Sequence, residues 1–207
     1  MNNQFNTALD RLSSSYEQTH LYAIFCELLA AQPELMHRLV FLREVKPDAY
    51  LAAGVIRNSV WSLLHQQSFS ISGTEIDVVY FDQSVAATWH EEEQLLSLVL
   101  QQAFPDNDWD VVNQAYVHHW YRTEQAEKIT AYGSLDQALS CWPETATAIA
   151  VALDENDQLR VVAPFGVSDL MQLIVRWNNA LVSQQTFLQR VQQKQFLKKW
   201  PKLKVFS

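Results

Sequence analysis

Glu75-Ile76-Asp77-Val78-Val79-Tyr80-Phe81-Asp82, EIDVVYFD in one-letter code, is the most strand-like stretch of the chain. Its β-branched and aromatic residues suit a buried strand. Side chains alternate along a strand, so Glu75 and Asp77 share one face while Ile76 and Val78 point the other way. Two carboxylates in one patch repel and raise each other's pKa unless a cation lies between them. Hard oxygen ligands select Mg²⁺ or Mn²⁺ over zinc, and Mg²⁺ commonly takes one or two carboxylates together with oxygens of a bound phosphate. The alternative is an exposed strand end that carries ordinary surface acids.

Upstream, AAGVIRN (Ala52 to Asn58) joins a short strand, Tyr50 to Val55, to a helix from about Arg57 to His65. Gly54 lets backbone amides approach a ligand closely, and the following helix start suits a phosphate. Arg57 can add a bidentate contact to that phosphate; the alternative is a plain turn with Arg57 paired to a neighbouring acid. Downstream, DWDVVNQA (Asp108 to Ala115) offers a further acid from a second short strand, either Asp108 or Asp110. Asn113, Gln114 and His118 follow at the same end, with His118 expected to be a hydrogen-bonded structural histidine and His119 a surface one.

Around these motifs the periodicity predicts a front helical pair, Ser15 to Ala31 and Leu35 to Arg43, and a helix from Glu91 to Phe104 with acids in its first turn. It further predicts a helix over Ser134 to Cys141, a hairpin of Ala146–Leu153 with Gln158–Ala163, a helix over Asp169 to Trp177 and a last basic helix from Gln184 to Lys199. Glu144 and Thr145, beside Pro143, read as helix-start residues, and Asp169 likewise. Strands separated by helices, plus one hairpin, make an α/β (α+β) fold with a mixed sheet.

At 207 residues the chain is one domain with decoration, and 48% hydrophobic residues supply a real core. The net charge of -8 is uneven, since seven cations from Arg176 to Lys204 follow the last acid, Asp169. An acidic body argues against tight binding of nucleic acid, while the basic end reads mainly as a solvated helix. Cys26 and Cys141 match no metal or redox spacing, which fits a reducing, cytoplasmic setting. The N-terminus has neither a basic start nor an apolar run, and the apolar stretch from Leu21 to Ala31 is too short to span a membrane.

A glycine turn, a helix, an acid-x-acid strand and a strand with one more acid, in this order, resemble the nucleotidyltransferase superfamily that includes polymerase beta, poly(A) polymerases and CCA-adding enzymes. AAGVIRNSVW, EIDVVYFD, WDVVNQA, WPETATAIAV and APFGVSDLMQLIVRWN are similar to one bacterial nucleotidyltransferase-like family, across roughly residues 20 to 180. The resemblance implies a core at residues 47–182, with residues 1–46 as a helical segment packed on it and residues 183–207 as a basic helix and tail. It implies a two-metal site for Mg²⁺ (or Mn²⁺) on Glu75, Asp77 and Asp110. Gly54, Arg57 and Asn58 would lie on the phosphates of a nucleoside triphosphate, and the product would be a nucleoside monophosphate ester of an acceptor, with pyrophosphate released. The acceptor is expected to be a small molecule rather than nucleic acid. Two residues depart from the superfamily pattern: Ala53 stands where glycine is usual, and Glu75 stands where aspartate is usual. They motivate the alternative of a relative that binds a nucleotide or a protein partner without turnover.

Overall fold

The computed structural model describes residues 18–207. In chain order the elements are α1 (residues 18–30), α2 (Pro33–Val45), β1 (Tyr50–Ala52), α3 (Gly54–Leu64), β2 (Glu75–Tyr80), α4 (Trp89–Ala103), β3 (Asp108–Asn113), a 3-10 turn (Val117–His119) and α5 (Leu135–Leu139). They continue as β4 (Ala150–Leu153), β5 (Leu159–Val162), α6 (Ser168–Met171), β6 (Ile174–Arg176), α7 (Gln184–Gln193), α8 (Phe196–Lys199) and β7 (Lys204–Phe206). The expected start of the first helix at Ser15 and the reading of the N-terminus lie outside the described residues.

The main sheet has the order β3-β2-β1-β4-β5 and is mixed: β2 and β3 run parallel, joined through α4, while the other neighbours are antiparallel. Alternation along the strands divides its faces. Leu51, Ile76, Val78, Tyr80, Trp109, Val111 and Val151 belong to the main core with Phe25 and Leu29 of α1, Leu39 and Leu42 of α2 and Leu100 of α4. The opposite face carries Glu75, Asp77 and Val79 from β2 and Asp108, Asp110 and Val112 from β3, partly covered by Leu135 and Leu139 of α5. The front helical pair therefore sits behind the sheet, and the acids face away from it.

Several boundaries differ from those the sequence predicts. β1 ends at Ala52 and α3 begins at Gly54, because Val55, Ile56 and Val60 are needed on the buried face of a helix, and packing overrides the strand preference of β-branched residues. The segment expected as one helix over Asp169 to Trp177 is the single turn α6 followed by strand β6. Leu173, at φ 60°, interrupts the helix, and β6 finds a parallel partner in β7, which periodicity did not reveal. The last basic helix is broken at Gln195, which adopts a left-handed conformation at φ 55° and separates α7 from α8. That break turns Phe196 and Trp200 inward, where each ring meets Trp61 of α3 edge-on at 5.5 and 5.3 Å. Trp200 also donates from Nε1 to Ser62 Oγ at 3.1 Å. Burying an aromatic side chain contributes roughly 1.5–3 kcal/mol, so α8 is fixed against α3 rather than held in solvent.

Candidate active site

The parallel register places Asp77 beside Asp110 and Glu75 beside Asp108, and neighbouring strands are about 4.8 Å apart. Asp77 is the most enclosed of these acids, since β2 is flanked by β1 as well as β3. Its carboxyl is pushed up to about 6, first by burial and then by the charges of Asp110 and Glu75. The Gly54 backbone N–H and the Arg57 guanidinium act in the opposite direction. Asp110 is also raised, by burial and then by Glu75. Asp77 is half-buried, while Glu75, Asp108 and Asp110 are exposed at the surface.

The turn before α3 sets the other wall. Ala53 adopts φ 51° and ψ −115°, a conformation that favours glycine and clusters at functional sites. A Cβ on Gly54 would stand 3.8 Å from Asp77 Oδ2 and 4.0 Å from Arg57 Nη2. Glycine thus keeps open the space between the carboxylate and the guanidinium. Arg57 is buried, and its charged form is brought down to about 10 by that burial, against the pull of Glu144 and Asp77. It remains a cation at neutral pH. Nη1 donates to Thr147 Oγ1 at 2.8 Å, Nη2 donates to Asn58 Oδ1 at 2.9 Å, and the guanidinium lies 4.5 Å from the centre of the Phe196 ring. The alternative of a plain turn with Arg57 paired to a neighbouring acid gives way to this polar and aromatic clamp.

Gly54, Arg57, Asn58, Glu75 and Asp77 all line one cavity of about 490 Å³. Asp110 stands outside that lining and joins Asp77 in a second, smaller pocket. Among the described residues, no three His, Cys, Asp or Glu side chains already form a group able to hold a metal ion. The opposite wall of the large cavity is basic, with Arg190 and Lys194 at the end of α7 and Lys199 at the end of α8. Sequence reasoning missed these three by treating the basic end as solvated. The signal available was the spacing of Phe187, Val191, Phe196 and Trp200, an apolar stripe whose docking turns the flanking cations inward.

Glu144 corrects a second expectation. It is wholly buried and caps no helix: its Oε1 accepts from Arg190 Nε at 2.5 Å, while Oε2 has no hydrogen-bond partner. Arg190 is thereby held over the cavity by an acid behind it. Thr145 donates from Oγ1 to Asp169 Oδ2 at 2.6 Å, and Arg176 is an ion-pair partner of the same Asp169, away from the cavity. His118 Nδ1 is buried without a hydrogen bond, contrary to the structural bond expected of it. Asn113 is structural, because its side chain bridges to the backbone N–H and C=O of Asp82 and so ties the ends of β2 and β3. No helix among the described residues is long and apolar enough to cross a membrane.

A half-buried Asp77 beside the exposed Asp110, a glycine turn at a helix start and a basic wall form an anion site with an acidic floor. Among solved structures, one NMR structure described as revealing a CCA-adding enzyme head domain is 29% identical, with TM-score 0.73 and coverage of 87% of this chain and 93% of that chain. An apo CCA-adding enzyme matches at 13% identity and TM-score 0.55, over 87% of this chain and 44% of that chain. The Thermotoga maritima CCA-adding enzyme complexed with tRNA matches at 14% and 0.52, over 87% and 42%. These last two likenesses concern the fold alone, and the chain spans less than half of either. No curated protein matches the chain. The profile of a family described as Nucleotidyltransferase matches residues 43–205, and on that match and this fold the chain belongs to the nucleotidyltransferase family.

Proposed function

We propose that the protein transfers a nucleoside monophosphate from a nucleoside triphosphate to an acceptor hydroxyl, releasing pyrophosphate. The observation that carries this reading is the meeting of Asp77, Gly54, Arg57 and Arg190 around one cavity, acidic at the floor and basic on the wall. The α3 start and the cations Arg57, Arg190, Lys194 and Lys199 would hold the triphosphate oxygens and stabilise the charge that gathers on the departing pyrophosphate. Asn58 supports this indirectly, since its Oδ1 accepts from Arg57 and fixes the guanidinium plane.

The acidic floor fits a divalent cation. Asp77 is enclosed and is disfavoured as an anion by its acidic neighbours, a condition that a cation relieves. The donors are all oxygen, as Mg²⁺ or Mn²⁺ prefers, and too few carboxylates converge to complete a shell without substrate. Asp77, Asp110 and Glu75 would hold the ions, with phosphate oxygens supplying the remaining ligands. Divalent ions bound there would neutralise phosphate charge and lower the pKa of the attacking hydroxyl. An acceptor that is a small molecule, rather than nucleic acid, is supported by the acidic body outside the cavity, with a net charge of -8 overall.

The test is thermal unfolding of the protein with each nucleoside triphosphate, with and without Mg²⁺ or Mn²⁺, beside Asp77→Asn. A ligand at about 100 times its Kd adds roughly 2.7 kcal/mol. The proposal predicts a metal-dependent shift that the variant loses; no shift with any triphosphate would sink it.

A further inference from the structure

We propose that the smaller pocket beside the carboxylates is the subsite for the base of the nucleotide, and that Gln114 reads that base. This rests on the nucleotide reading of the basic cavity. The pocket measures about 210 Å³ and is walled by Trp120, Tyr121 and Trp142, with Asp77, Asp110 and Gln114 among its polar lining. Asp77 and Trp142 also line the basic cavity. The two spaces thus adjoin at Asp77, Trp142 and Pro143, and on this proposal a single ligand with a phosphate end and a flat end lies across both. The volume lies below the roughly 300–1,000 Å³ of pockets for drug-sized molecules, which suits one or two rings. Aromatic walls suit a base in particular, because every base has a face that stacks.

Gln114 supplies the independent observation. It is 5% exposed, and its backbone N–H donates to the Tyr80 carbonyl at 2.8 Å. Its side chain lines the pocket, so its amide can meet a ligand held there. A primary amide has two donor hydrogens and one acceptor oxygen. A base edge presents the same pairing of donor and acceptor, and a site built to hydrogen-bond a substrate discriminates strongly against one that cannot reciprocate. Asp110 and Trp120 also border an open groove along α4, so an occupied base pocket still leaves the outer side of Asp110 open to an acceptor.

The test is calorimetric titration of the whole chain with ATP, CTP, GTP, UTP and inorganic tripolyphosphate in Mg²⁺, for wild type and Gln114→Met. Wild type is expected to prefer one base by about tenfold or more, and the variant to bring all four within about twofold of one another. Tripolyphosphate should bind both proteins alike. Equal binding of the four nucleotides by wild type, or a ranking that survives in the variant, overturns the base pocket while the phosphate cavity stands. Absence of binding by tripolyphosphate and every nucleotide overturns the nucleotide reading and the base pocket with it. One arm needs no variant: the free nucleoside of the preferred base must bind wild type together with tripolyphosphate, and mutual exclusion overturns the subsite.

Discussion

Replacing Asp77 with Asn should make the metal-free protein more stable at neutral pH while removing its activity. The magnitude follows from the carboxyl of Asp77, which is raised from 3.8 to about 6, first by burial and then by Asp110 and Glu75. The folded state binds that proton more tightly than the unfolded state does, so stability falls as pH rises through this interval. The loss is absent below pH 3.8 and complete above about pH 6. At about 1.4 kcal/mol per unit it amounts to about 3 kcal/mol. Asn has the same shape and keeps an oxygen to accept the Gly54 N–H, yet carries no charge to desolvate. In chelator-treated buffer at pH 8, Asp77→Asn should therefore melt roughly 6–12 °C above wild type, with the gap closing as the pH is lowered towards 4. Added Mg²⁺ or Mn²⁺ should narrow the gap at pH 8 by stabilising wild type alone. A variant no more stable than wild type at pH 8, or a gap independent of pH, would refute the account of a strained carboxylate awaiting a cation.

Gly54→Ala should fold normally, because the new Cβ meets only ordinary contacts at 3.8 and 4.0 Å, yet weaken triphosphate binding by about tenfold or more, read by titration. Arg57→Lys loses the bonds to Thr147 and Asn58, and a point charge cannot replace a planar fork; triphosphate affinity should again fall by about tenfold. Arg190→Gln strips the wholly buried Glu144 of its ion-pair partner, so denaturant unfolding at neutral pH should reveal a loss of roughly 3 kcal/mol, and Arg190→Lys should recover part of it. Ala53→Val should cost about 2 kcal/mol or more, since a β-branched residue is forced to φ 51°, as measured by the urea midpoint.

The strand Glu75–Tyr80 and the facing of its two acids were legible because a period of two is a local signal. The same alternation singled out Asp108 and Asp110, and the family likeness chose Asp110, the acid that shares a pocket with Asp77. What stayed hidden depends on residues distant in sequence. Leu170 to Val175 is apolar enough to read as helix, and only β7, about thirty residues later, makes a strand of its second half. Glu144 looked like a capping acid because its partner Arg190 is 46 residues away. Arg190, Lys194 and Lys199 looked solvated because charge on a helix face is usually exposed; the apolar stripe of Phe187, Val191, Phe196 and Trp200 shows that this segment docks, but not that it docks on Trp61, about 135 residues earlier in the chain. Gln114 lies near the end of the DWDVVNQA stretch, but nothing in that stretch gave it a role; only its burial beside a pocket marks it.

The central claim, nucleotidyl transfer at Asp77, is tested most directly by following the α-phosphorus. Wild type and Asp77→Asn are incubated with each α-labelled nucleoside triphosphate, Mg²⁺ or Mn²⁺ and a fractionated pool of small hydroxylated metabolites, and the label and pyrophosphate are measured together. The account predicts that wild type moves the label into a new, stable product with one pyrophosphate released for each label transferred, and that the variant does neither. Release of orthophosphate in place of pyrophosphate, or saturable nucleotide binding with no movement of label under either metal, would contradict it.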